Sequence, residues 1–131
     1  MAQWHGISRR KPTGGRLKRP NRYRGKRRKE IASENQFAFV GDKDIRKGYR
    51  KHAGSMTIRV MQAHTVNVSD TKTGKTIRAT ISNVLQNDAD PNYVRRNIVT
   101  KGAIVETDMG QVRITSRPGS HGALNGVLLD E

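Results

Sequence analysis

The sequence predicts an all-β protein: a small antiparallel β-barrel of about six strands carrying an extended, basic N-terminal arm. Three observations carry that expectation. Beyond Ser55 apolar residues recur with a period of two, turn signals fall about every 8 to 12 residues, and positive charge crowds into the front of the chain. The first 29 residues hold twelve Lys or Arg and no Asp or Glu.

Counting by halves sharpens the asymmetry. Residues 1–60 carry 18 basic and 4 acidic side chains and residues 61–131 carry 8 and 7, so 14 of the +15 net charge belongs to the first half. At 131 residues the chain fits one modest domain with a tail outside it. The expected division is an RNA-binding arm over residues 1–30 and a barrel domain over 31–131. An apolar content of 33% and a mean hydropathy of -0.81 are low beside the roughly 45–50% apolar content of a globular chain, and the shortfall lies mostly in the first half. With no cysteine, disulfides and thiolate metal sites are excluded and the chain reads as intracellular. No run approaches the roughly 18 apolar residues of a membrane span. The opening MAQWHGISRRKP lacks the apolar centre of a signal peptide, and Pro12, Gly14, Gly15 and Pro20 interrupt the helix an organellar transit peptide would need.

Each element follows in order. Over residues 1–30, ordering each residue costs about 1–2 kcal/mol while only Trp4, Ile7, Leu17 and Tyr23 offer much apolar area, so the free arm is expected to be irregular and disordered. Phe37 to Val40 reads as a short strand, and DKDIRKGYRKHAG as a second basic stretch, with Gly41, Gly48 and Gly54 keeping its elements short. Ile58, Val60, Val66 and Val68 share one parity, interrupted by Gln62 and His64, which predicts one long strand or two joined by a bulge. The turn DTKTG at 70–74 leads into TIRATIS, where Ile77, Ala79 and Ile81 point one way, completing a hairpin. Asp90 and Pro91 suit the cap and first position of a short helical turn, followed by the β-branched run NIVT. AIVET, DMG and QVRITS read as a hairpin, SRPGSHG at 116–122 as a loop, and ALNGVLL as a last strand.

The arm is the strongest functional signal. Its clusters are Arg9, Arg10 and Lys11, then Arg16, Lys18 and Arg19, then Arg22, Arg24, Lys26, Arg27, Arg28 and Lys29. Each can neutralise a phosphate and release counterions, so the partner is a polyanion and RNA the first candidate. Eight of the twelve are arginine, favouring a partner that rewards bidentate forks and stacking. Short charge runs are commonly just solvated, but twelve cations without one anion are a poor fit to that reading. A membrane surface is a worse partner, because the arm has no amphipathic stripe. Trp4 is expected to stack on a base, to cap the globular domain, or both. A second set, Arg46, Lys47, Arg50, Lys51, Arg95, Arg96, Lys101, Arg113 and Arg117, lies in or beside predicted loops; if those loops gather on one side, the pairs at 46/47, 50/51 and 95/96 extend the electrostatic footprint.

Catalysis finds little support. His5, His52, His64 and His121 have no metal-ligand spacing. TGKT at 73–76 resembles the end of a P-loop, but Ser69 stands where its first glycine belongs and no helix is predicted after it. There is neither a G-x-S-x-G elbow nor a dinucleotide fingerprint.

Three stretches resemble one family. WHGISRRKPTGGRLKR is similar to the opening of the S-eight-e family of small-subunit ribosomal proteins of archaea and eukaryotes, YVRRNIVTKGAIVETDMGQVRITSRPG to its central and late signature, and GALNGVLL to its ending. The resemblance covers nearly the whole chain, looser between about Arg24 and Val60, and the short length resembles the archaeal branch. His5, Ile7, Ser120 and His121 depart from the family pattern. The resemblance implies a β-barrel body, a basic arm buried in small-subunit rRNA, and rRNA contacts by the cations from Arg9 through Arg19 with Arg95, Arg96, Lys101 and Arg117. It also implies a structural constituent of the small ribosomal subunit, cytoplasmic and within ribosomes. Its partners would be small-subunit rRNA and neighbouring ribosomal proteins, with no cofactor, no metal, no membrane and no small-molecule substrate. Two alternatives compete with this expectation: a ribosome-assembly factor that binds pre-rRNA transiently, and a small hydrolase or metalloenzyme using His64 or His121.

Overall fold

The computed structural model describes residues 3–6, 8, 10–18 and 27–129. Two compact units divide the chain, Met1–Asn35 and Gln36–Glu131.

In the first unit, β1 (Gln3–Trp4) pairs antiparallel with β2 (Ile31–Ala32), Trp4 opposite Ile31. A 3-10 turn over Arg28–Glu30 feeds β2, and the Glu30 carbonyl accepts the His5 amide at 2.7 Å. Between the strands, the Gly14 amide donates to the Lys11 carbonyl at 2.9 Å and the Lys11 amide to the Gly15 carbonyl at 2.8 Å. Pro12 supplies the preset φ of a turn's second residue, and Gly14 takes a φ of 86° that favours glycine. Sequence alone predicts neither strand nor turn in this segment. A two-residue strand shows no periodicity, and the partner of Trp4 lies across a long intervening stretch, so only the folded chain reveals the pairing. Arg9, Arg19, Arg22, Arg24 and Lys26, with Ile7, Pro20 and Tyr23, lie outside the described residues.

The second unit runs β3 (Ala38–Val40), β4 (Ile45–Arg50), β5 (Met56–Ala63), β6 (Thr65–Ser69), β7 (Thr76–Gln86), α1 (Pro91–Arg95), β8 (Ile98–Val99), β9 (Ile104–Thr107), β10 (Gly110–Ile114), α2 (Pro118–His121) and β11 (Asn125–Leu128). Five strands close a barrel in the order β10-β11-β6-β7-β9, and four form a sheet in the order β4-β5-β3-β8. One apolar cluster joins them: Ala38, Val60, Ala63 and Val99 from the sheet meet Val66, Val68, Val105, Val112 and Ile114 from the barrel. The all-β class and the barrel are as the period of two predicts.

The hairpins β6–β7 and β9–β10 are antiparallel, as expected from their tight turns, but β11 joins β6 in parallel, Asn125 opposite Asn67. A short turn forces its strands antiparallel, whereas strands remote in sequence are free of that constraint. The closure is tight at Gly126, where a Cβ would stand 2.4 Å from Val112 Cγ1 and 3.0 Å from the Arg113 carbonyl oxygen. The long 56–69 run is two strands broken at His64, one of the two outcomes its polar interruption allows.

Three segments differ in detail from expectation. The basic stretch after Gly41 is β4, an edge strand paired to β5 with Arg46 opposite Val60 and Tyr49 opposite Thr57, so Arg46, Lys47 and Arg50 stand on a strand and not in a loop. Cations on both faces of this edge hide its period of two and discourage further edge pairing. The 116–122 loop contains α2, closed by Gly122 at a φ of 68°. Ile58 and Ile77, assigned inward faces by parity, are 50% and 46% exposed and stand outside the core cluster.

Candidate nucleic-acid interface

The four-stranded sheet has two unlike faces. Ala38 pairs with Val99 and Val40 with Ala63, and these side chains enter the core. The alternate residues must point the other way: Phe39 beside Gln62 and Ile98, Ile45 beside Gln62, Lys47 beside Arg59, and Tyr49 beside Thr57. Ile98 is fully buried yet stands outside the main cluster, as expected of a residue on this second face. Phe39 at 38% and Ile45 at 48% are exposed there.

Cations and rings interleave on that face. The Arg59 guanidinium lies 5.1 Å and the Lys47 ammonium 5.5 Å from the Tyr49 ring centroid, and Arg96 lies 5.7 Å from Phe37 and 6.0 Å from Phe39. Phe37 also packs at 5.2 Å on Tyr93 of α1. A cation held over a ring gains from its quadrupole and stays available to an anion. Tyr49 Oη and Arg59 Nε are shut from solvent with no hydrogen-bond partner among the described residues. Sequence reasoning does not single out Phe37, Phe39, Tyr49 or Arg59; the signal that could have found them is an aromatic at alternate positions 37 and 39 and again inside the basic stretch at 49.

The other expected site residues distribute as follows. Asp90 caps α1, its carboxylate accepting the Asn92 amide at 2.8 Å with Pro91 in the first position, and this short helix carries Arg95 and Arg96 at its end. The buried Asn87 side chain anchors the following turn by bonds to the Ile98 carbonyl and the Thr100 hydroxyl. Lys101 occupies the turn before β9, and Arg117 precedes α2, its amide donating to His121 Nδ1 at 3.0 Å. Arg46 and Arg50 alternate with Lys47 to the other side of β4, and Lys51 follows the strand. All of these cations are exposed, and none of Arg46, Lys47, Arg50, Lys51, Arg95, Arg96, Lys101 or Arg117 forms an ion pair among the described residues.

In the N-terminal unit the turn sets Arg10 directly opposite Arg16, with Lys11 and Lys18 beside them, all exposed. Arg10 Nη1 donates to the Gly14 carbonyl at 2.8 Å. Like charges held opposite one another are destabilising until an anion neutralises them. Trp4 is half-buried: its indole packs over Gly6, where a Cβ would fall 2.1 Å from the ring, and its Nε1 donates to Glu30 Oε2 at 3.4 Å. Arg27, Arg28 and Lys29 are exposed around the 3-10 turn.

The alternative chemistries gain nothing. Among the described residues no group of three or more His, Cys, Asp or Glu is placed to hold a metal ion, and no helix is long and apolar enough to cross a membrane. The 73–76 segment is a hairpin turn: Asp70 accepts the Lys72 amide at 2.8 Å and the Thr73 hydroxyl at 2.7 Å, and a strand follows where a P-loop needs a helix.

The model of one family, described as Ribosomal protein S8e, matches residues 4–129. The chain belongs to this family. Three archaeal relatives, each named small ribosomal subunit protein eS8, align with this S8e chain over nearly its full extent. That of Methanospirillum hungatei is 47% identical over 98% of this chain and 99% of its own, that of Methanoregula boonei 48% identical over 96% and 98%, and that of Methanococcus aeolicus 41% identical over the whole of both. The S8e match spans both compact units, so the paired arm, the barrel and the four-stranded sheet all lie within the family pattern.

Proposed function

We propose that this chain is a structural constituent of the small ribosomal subunit, not an enzyme, and that it binds and stabilises small-subunit rRNA through its basic arm and the exposed cations of the sheet, α1 and the turns. It acts in the ribosome, in the cytoplasm, beside other ribosomal proteins. The observation that carries this reading is the front of the chain: twelve cations and no anion in 29 residues, in a member of the Ribosomal protein S8e family. Each phosphate that is neutralised releases counterions, so affinity falls steeply with salt. The arm over residues 1–30 gains its final order as guanidinium groups replace counterions, while the barrel domain over 31–131 docks as a rigid platform.

Mapping crosslinks in intact small subunits to both residue and nucleotide tests the reading. Crosslinks from Arg9, Arg10, Lys11, Arg16, Lys18, Arg19, Arg22, Arg24, Lys26, Arg27, Arg28 and Lys29 to rRNA are expected. Their absence from the arm would overturn it. Quantifying the protein in mature subunits separates it from a transient assembly factor, which would be substoichiometric.

A further inference from the structure

We infer that the outer face of the β3–β4–β5 sheet is a stacking platform for unpaired RNA bases; this rests on the rRNA-binding reading and specifies what that face reads. Neutralising phosphates needs only cations, yet this face sets an aromatic ring beside each of its cations: Arg96 over Phe39, and Lys47 and Arg59 over Tyr49. Phe39 stays 38% exposed although a large apolar side chain gains by burial.

The ring faces decide the form of the RNA. In an A-form duplex the base faces are stacked on one another and inaccessible, whereas loops and bulges splay bases out onto aromatic and guanidinium planes. Phe39 is in register with Gln62 and Tyr49 with Thr57, on strands to either side of β5. That separates the rings by about 16 Å along the strands and about 10 Å across them. Lys47 and Arg59 lie between, opposite one another. This layout fits an extended unpaired segment, not a single extruded base: one base stacks on the open Phe39 ring and another on the Arg59 guanidinium that covers Tyr49, while the phosphates meet the remaining cations. Nothing acidic stands among the paired residues of this face, which argues against a basic protein surface as its occupant.

The test compares two labelled RNAs by fluorescence anisotropy at one salt concentration, using the full chain: a fully paired stem, and the same stem interrupted by a run of unpaired uridines. The native chain is expected to favour the interrupted RNA by about tenfold, in line with the worth of base–aromatic stacking. Phe39→Leu and, separately, Tyr49→Leu keep apolar cover and are expected to reduce that preference, with a smaller loss of paired-stem affinity. Ultraviolet crosslinking of the native chain to the uridines needs no variant and is expected to label the β3 and β4 peptides. Equal binding of both RNAs by the native chain, unaltered preference in both leucine variants, or crosslinks confined to other peptides would each overturn the platform while leaving rRNA binding intact. Failure to bind either RNA would overturn the parent reading and the platform together.

Discussion

Asp44 Oδ2 lies 3.0 Å from Arg78 Nη2, tying the loop before β4 to the barrel strand β7. The same carboxylate accepts the Thr65 hydroxyl at 2.6 Å and, through Oδ1, the His64 and Thr65 amides at 2.7 and 3.1 Å. Those amides sit at the break between β5 and β6, where the ladder supplies no partner. Asp44 is therefore the clasp that lets one continuous run of chain serve both the sheet and the barrel.

The clasp makes stability acid-sensitive. Partial burial raises the Asp44 pKa, but the hydrogen bonds from Thr65, His64 and Arg78 outweigh it and the carboxyl titrates at about 2, against an ordinary 3.8. A depressed pKa stabilises the fold fully above the unfolded value, and that contribution is lost as pH falls from about 4 towards 2. Asp44→Asn is expected to cost about 1–2 kcal/mol near neutrality, after discounting for solvent screening at this partly open site. Urea unfolding as a function of pH checks it: the gap between native and variant should close across the acid range.

Barrel closure at Gly126 sets a second expectation. Gly126→Ala drives a methyl group into Val112 Cγ1 and the Arg113 carbonyl, and is expected to destabilise by about 1–3 kcal/mol through overpacking. Gly119→Ala, with no atom within 4 Å of its would-be Cβ, serves as the near-neutral control. The urea midpoint should shift for the first and stay for the second.

At the opposed pair Arg10 and Arg16, replacing both with glutamine removes charge from an exposed turn and leaves every barrel residue as it is. The slope of log K against log salt for RNA binding should become shallower by about 0.7–0.9 for each phosphate no longer neutralised. A slope that does not change would mean these two guanidiniums meet no phosphate.

Trp4 is the chain's one tryptophan, so its emission reports its own packing. Gly6→Ala puts a methyl group onto the indole and is expected to release it, shifting emission to the red and raising acrylamide quenching. Gly15→Ala, whose nearest neighbour is Thr13 Oγ1 at 3.8 Å, should leave both unchanged.

Period and punctuation are enough to read most of the barrel, because each hairpin there is local. Val66 against Ala79, and Val105 against Val112, face one another across short turns, so alternation and turn residues already specify register and the buried face there. The α1 cap at Asp90 is legible for the same reason, since a cap needs only its neighbours. Composition alone likewise marks the arm, because twelve cations without an anion in 29 residues are legible whatever their coordinates.

Pairings between remote residues are not legible in that way. The β1–β2 pair, the parallel seam of β11 on β6, the clasp of Asp44 on Arg78 and the meeting of Phe39, Tyr49, Arg59 and Arg96 on one sheet face all join segments that no local rule relates. Charge and period are properties of the chain taken a few residues at a time. Which ring a guanidinium covers depends on how several strands pack, and that is settled only when burial of the shared core selects one arrangement of them.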